Sequence, residues 1–181
     1  MLRLACDTAR VNDQFDRLEA GRRAIDALRP AVENGEPWPL SRAYGVEPES
    51  DWGPKEVLAH VAEMIPFWLG QVEVVIADVP EPVPFGRVSS DPERIGRVGS
   101  DRLLPAAELF DRIDAAAERA AARLGALSSD ESARRGLHPR FGEMTAEAIV
   151  GRFVIGHLEE HVAQLREILA STPEAPSVPS S

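Results

Sequence analysis

The stretch TAEAIVGRFVIGHLEEHVAQLREIL, Thr145 to Leu169, decides the reading of the fold. At about 100° per residue, Val150, Phe153, Val154, His157, His161, Gln164 and Ile168 share one face, while Glu147, Arg152, Glu159, Arg166 and Glu167 point away from it. The pattern predicts an amphipathic helix roughly 37 Å long. Thr145 is its N-cap, and Glu147 stands in the first turn near the positive end of the dipole. His157 and His161 are spaced i and i+4 on the stripe that should be buried. Two imidazoles one turn apart in a core are costly unless something satisfies them, and two protonated rings would repel. A shared metal ion removes that conflict. So do hydrogen-bond partners for two polar core residues, and the pair alone does not choose between them.

Moving outward, WGPKEVLAHVAEM, Trp52 to Met64, opens another helix. Gly53 is placed as N-cap, Pro54 fits the first turn where its missing N–H costs nothing, and Glu56 stands at N3. Val57, His60, Met64, Phe67, Gln71 and Val75 line one face, so His60 is a third histidine on an inward stripe. Pro66 falls inside the pattern and predicts a kink. An earlier helix runs from about Asp7 to Arg29 with Val11, Phe15, Leu18, Ile25 and Leu28 on one side, and AVEN adds a last turn closed by Gly35. The connection that follows carries Trp38 and Tyr44, placed to cover an end of the core.

From Asp78 to Gly99 the chain reads as a long irregular connection rich in proline and glycine. A third helix starts between Ser100, a candidate N-cap, and Pro105. It carries Phe110, Ile113, Ala117, Ala120, Ala121 and Leu124 inward and ends near Gly125. His138, directly before Pro139, is expected to be extended, in a loop, and solvated or packed against that loop. Beyond the last helix, 171–181 is expected to be a disordered tail, leaving 1–170 as a single domain.

Composition bounds the function. The 181 residues are 44% apolar and 28% charged, an ordinary globular balance, and the net charge of -10 repels nucleic acid and anionic lipid. Neither a secretory h-region nor a membrane span is read in the sequence, so a cytoplasmic protein acting on a small molecule is expected. Cys6 is the single cysteine, which excludes an intrachain disulfide and a cysteine-rich metal site.

Four amphipathic helices without a convincing strand predict an all-α four-helix bundle, a fold that builds metal sites from facing helices. Three neutral imidazoles, His60, His157 and His161, suit zinc or nickel and leave positions open for water or substrate. Gln164, one heptad after His157, is a candidate for holding a ligand or water from behind. Glu63 and Glu160 flank the histidine faces as candidate bases, and Arg87, Arg94 and Arg140 are candidates for a cofactor carboxylate. His157 to His161 also spells H-x-x-E-H, but the chain after His161 holds no helix to return the further ligand a peptidase of that type needs.

The helix start at Trp52 to Glu63 with His60, together with H-x-x-x-H-x-x-Q at His157, His161 and Gln164, resembles the DinB-like (YfiT-like) metalloenzyme family over Asp51 to Leu169. The resemblance implies up-down-down-up topology, a divalent metal on His60, His157 and His161, and frequently a homodimer. It further implies a transferase or isomerase that uses a low-molecular-weight thiol such as mycothiol, bacillithiol or glutathione. A non-enzymatic metal- or ligand-binding bundle and hydrolysis by metal-bound hydroxide remain as alternatives. The chain departs from the family pattern at Gly53, where a Ser or Thr cap is common, and in its proline-rich connection.

Overall fold

The computed structural model describes residues 2–42, 51–77, 80 and 82–171, with side chains described from residue 13 onward. Four long helical stretches make the frame: α1 (Leu2–Asp26), α3 (Pro54–Ile76), α5 (Ala106–Ala126) and a last stretch from Ala146 to Ser171. Short helices α2 (Arg29–Asn34), α4 (Pro92–Asp101) and α6 (Ser129–Ala133) lie between them. Strands β1 (Val83–Pro84), β2 (Arg135–His138) and β3 (Gly142–Thr145) form a small sheet in the order β1-β2-β3. The last stretch comprises α7 (Ala146–Ile149), a π-helical segment (Val150–Gly156) and α8 (His157–Ser171).

Ion pairs and ring contacts give the helix directions. Lys55 at the start of α3 bonds the Leu104 carbonyl just before α5, and Glu73 near the end of α3 pairs with Arg123 near the end of α5 at 2.6 Å, so these two helices are parallel. Arg22 of α1 reaches Glu118 and Arg29 reaches Asp111, so α1 runs antiparallel to α5. Trp68 stacks on Phe153 while Trp52 stacks on His161, so α3 and the last stretch are antiparallel. Gln14 with Glu147 and Arg17 with Glu159 make α1 parallel to that stretch. The result is an up-down-down-up four-helix bundle.

Leu18 and Ile25 from α1, Leu58, Met64 and Ile65 from α3, Phe110 and Ile113 from α5, and Ile155, Leu158 and Leu165 from the last stretch fill the core. Ala116, Ala117 and Ala120 of α5 are buried, and their small side chains let α5 pack between α1 and α3. Trp38 packs against the core and donates its indole N–H to the Val32 carbonyl at 2.7 Å. Tyr44, residues 172–181 and the Cys6 side chain lie outside the described residues.

Several expectations are corrected. The first helix closes at Asp26, and Arg29–Asn34 is a separate short helix with Pro30 in its first turn, as a missing N–H allows. Phe15 is 40% exposed, because the buried line of α1 is narrow. Pro66 lies on the exposed face of α3, and the helix continues through it as one element. The connection expected to be irregular holds β1 and α4, with Asp91 capping the Arg94 N–H at 2.9 Å and Pro92 following at N1. Ser100 therefore lies inside α4, and α5 opens after Pro105. The last helix is not one α-helix but is interrupted by the π segment. Gly151 belongs to that segment, and a Cβ there would stand 2.9 Å from Gln14 Nε2, so α1 approaches closely only because the side chain is absent.

Glu56 ties the start of α3 to its surroundings. Its fully buried carboxylate accepts from the Ser41 N–H at 2.9 Å, the Gly53 N–H at 3.1 Å and Arg102 at 2.9 Å. The Gly53 N–H bond is the N3 half of a capping box, and the half that an N-cap side chain would supply is missing because position 53 is glycine. Glu56→Gln removes the charge of a fully buried carboxylate that holds Arg102 and two backbone N–H groups, and is expected to cost about 3 kcal/mol, measured by urea unfolding. A loss within about 0.5 kcal/mol would show that the carboxylate does not anchor the helix start.

Candidate metal centre

Helix α3 presents His60 and α8 presents His157 and His161 to the same volume. One ring nitrogen from each lies within 4.8 Å of the other two. His60 Nε2 is 3.3 Å from His157 Nε2, and the His157 and His161 rings sit 4.7 Å apart. That nitrogen separation is close to the edge of a tetrahedron with metal–nitrogen bonds of about 2.0–2.1 Å. His161 Nδ1 pairs with Gln164 Oε1 at 2.8 Å, so the ring proton sits on Nδ1 and the Nε2 lone pair is free. His161 Nε2 and His60 Nδ1 are buried and have no hydrogen-bond partner among the described residues. The orphaned His161 Nε2 beside a convergent histidine set is what a bound divalent ion would account for, and the donor set fits zinc or nickel.

The surroundings keep the rings neutral. Burial first, then the charges of neighbouring groups, pushes His60 far below its ordinary value and holds His157 down at about 3. Burial also lowers His161, against the opposing effect of its Gln164 hydrogen bond. Trp52 closes the cluster, stacked on His161 at 6.4 Å and edge-on to His60 at 5.3 Å. Arg94 from α4 lies over the Trp52 ring at 5.5 Å.

Glu63 is 3.8 Å from His60 Nδ1 and is engaged by Arg87 at 2.5 Å. As a candidate base it is therefore already paired. Glu160 is exposed and lines a cavity of about 410 Å³ that opens beside His157. Arg87, Arg94 and Arg140, singled out in the sequence, all line this cavity, and Arg152, read there as pointing away, joins them. Arg152 is exposed, as its place off the buried stripe predicts, and it reaches the cavity rim from the edge of the face that carries Gly156, His157 and Glu160.

His138 is not the solvated or loop-packed residue that its place before Pro139 predicts. It ends β2 and is 3% exposed, lining the same cavity. The extended backbone that Pro139 demands is supplied by the strand itself. Gly86, at φ +83, passes so close that a Cβ there would stand 2.8 Å from His138 Nε2. Burial lowers His138, the Arg87 carbonyl acts in the opposite sense, and the charges of Arg152 and Arg140 lower it further.

With this geometry in hand, the DinB superfamily pattern matches residues 20–165. The chain belongs to the DinB superfamily. The DinB fold is also seen in a solved structure, YfiT from Bacillus subtilis, with a TM-score of 0.65 and 16% identity, covering 87% of this chain and 85% of that one. That protein is described as a probable metal-dependent hydrolase with an unusual four-helix bundle topology. No curated protein matches the chain. None of the described helices is long and apolar enough to cross a membrane.

The histidine pKa values set a stability slope for the metal-free protein. Free imidazoles titrate near 6.5 and the folded ones lower, so below about pH 6.5 the unfolded chain binds more protons than the folded one. Stability should then fall as pH drops from 7.5 to 5.5, each buried histidine contributing up to about 1.4 kcal/mol per pH unit below 6.5. Urea unfolding across that window checks the slope, which His157→Gln should reduce. Identical slopes for variant and wild type would contradict the assignment.

Proposed function

We propose that this DinB protein is a divalent-metal-dependent enzyme in which His60, His157 and His161 hold zinc or nickel. Its reaction is the transfer, or the isomerisation, of a small electrophile with a low-molecular-weight thiol such as mycothiol, bacillithiol or glutathione. The observation that carries the reading is the convergence of three neutral imidazoles, with the buried His161 Nε2 left without a hydrogen-bond partner among the described residues. A bound ion supplies Lewis acidity, lowering the pKa of a thiol or water and stabilising the resulting anion.

The protein's own residues supply the rest. Gln164 accepts the His161 Nδ1 proton, which orients the ring and keeps Nε2 available as a donor atom. Glu63, pinned by Arg87, stands on the Nδ1 side of His60 and favours a proton there, with Nε2 left to face His157. Trp52 excludes water from the inner side of the cluster. Glu160, on the cavity wall with His157, is the carboxylate positioned to accept a proton from an incoming nucleophile. A homodimer in a reducing cytoplasm belongs to the same reading, and the exposed Phe15 on α1 supports an apolar contact there.

Hydrolysis is the second reading, favoured by the description of YfiT as a probable metal-dependent hydrolase. Turnover of a generic electrophile with each thiol, for wild type beside His60→Ala, separates the readings. Thiol-dependent turnover that falls at least about 100-fold in the variant is expected. Equal turnover without thiol would move the assignment to hydrolysis, and none above the variant under any condition would leave a binding module.

A further inference from the structure

On α3, His60, Glu63, Phe67 and Gln71 follow one another at spacings of three and four, so they form one line along the helix. The segment after β1 runs beside that line and meets it at three points. The Gly86 N–H donates to Gln71 Oε1 at 2.7 Å, the Arg87 guanidinium lies over the Phe67 ring at 3.6 Å, and Arg87 Nη2 reaches Glu63 Oε2 at 2.5 Å. The line ends at His60, whose Nδ1 the Glu63 carboxylate faces at 3.8 Å.

The same segment is held from its other side. The Phe85 N–H donates to the Leu137 carbonyl at 3.2 Å, continuing the pairing of β1 with β2. Gly86 has φ +83, and a Cβ there would stand 2.4 Å from His138 Cδ2. His138 is itself fixed: it is buried, and its Nδ1 accepts the Arg140 N–H at 3.0 Å and the Phe141 N–H at 3.2 Å. Gly86 is thus clamped between the Gln71 amide and the His138 ring. A clamp with no room for a methyl group fixes where the next residue, Arg87, begins.

What Arg87 carries gives the clamp its consequence. The Arg87 and Glu63 side chains are only 10% and 9% exposed. A carboxylate so buried that loses its cation gives up its charge or its place, because an unpaired buried charge is costly. His60 Nε2 and His157 Nε2 lie 3.3 Å apart, and in the metal-free protein one of them carries a proton that the other accepts. An ionised carboxylate on the Nδ1 side of His60 decides which: the His60 proton stays on Nδ1, and its Nε2 keeps the lone pair.

We propose that Gln71, Gly86 and His138 are positioning residues for the histidine cluster: through Arg87 they hold the Glu63 carboxylate where it fixes the tautomer of His60. They act from three places in the fold, α3, the segment after β1, and β2. The consequence for metal binding rests on the reading above, whereas the consequence for the His60 tautomer does not.

Two readouts on the purified protein test this: the His60 tautomer by heteronuclear NMR of the metal-free form, and zinc affinity by competition with a chromophoric chelator. In the wild type the His60 proton should sit on Nδ1. Glu63→Gln should move it toward Nε2 and weaken zinc binding about tenfold. Gly86→Ala and Gln71→Leu should each do the same, yet add less than about twofold to the loss in a Glu63→Gln background, because they act through that carboxylate. Gln71→Leu introduces no side chain at the Gly86 contact and carries the test should Gly86→Ala fail to fold. Ile113→Val, a core change in α5 on the side facing α1, lowers stability away from the clamp and should leave both readouts fixed. The proposal is overturned if the wild-type His60 proton sits on Nε2, or if the clamp variants leave the tautomer unchanged. Losses of zinc affinity that add in full to that of Glu63→Gln would overturn it too. A wild type that binds no zinc, with clamp variants that still shift the tautomer, would sink the metal reading and leave the positioning role standing.

Discussion

Three imidazole rings are packed within 4.8 Å of one another between two helices, and this crowding is the constraint on which the rest of the site depends. Burial makes their charged forms costly, so the rings are neutral, and neutral rings present nitrogen lone pairs that need partners. The described residues satisfy these nitrogens only in part. Gln164 takes one side of His161, His60 Nε2 faces His157 Nε2, His60 Nδ1 faces Glu63 at 3.8 Å, and His161 Nε2 has no hydrogen-bond partner among the described residues. Apolar residues would pack here without that difficulty, so the cluster needs a reason other than stability.

The frame is arranged to make this crowding possible. An antiparallel crossing of α3 with α8 sets His60 against an i,i+4 pair, and the π segment just before His157 widens the preceding turn. Interruptions of this kind recur at functional sites because the extra residue per turn re-aims side chains that a regular helix would hold elsewhere. Here Phe153 and Arg152 both reach the cavity from that segment. The net charge is -10, while the chamber beside the cluster is lined by Arg87, Arg94, Arg140 and Arg152, so the sign of the lining is reversed from that of the chain as a whole.

The helices and the histidines were legible because their periods are simple. His60, His157 and His161 repeat with the apolar stripes, and Thr145 and the Gly53–Pro54 step mark real helix starts. The sheet was hidden because β2 alternates with the wrong chemistry: its inward residues are Gly136 and His138, and its one large apolar side chain, Leu137, faces outward at 46% exposure. Helix α4 was missed within a proline-rich run, although Asp91 before Pro92 is the N-cap signal that would have found it. The sequence around Trp52 shows only a helix start, since its stacking on His161 joins residues far apart in sequence and leaves no local trace.

The central claim is that the three histidines hold a metal ion. Elemental analysis of tag-free purified protein, wild type beside His157→Ala, tests it most directly. About one zinc or nickel per chain in the wild type, lost in the variant, is the predicted result. A wild type that stays empty after incubation with both ions would contradict it, and the three imidazoles would then stand as buried polar residues of a ligand-binding bundle.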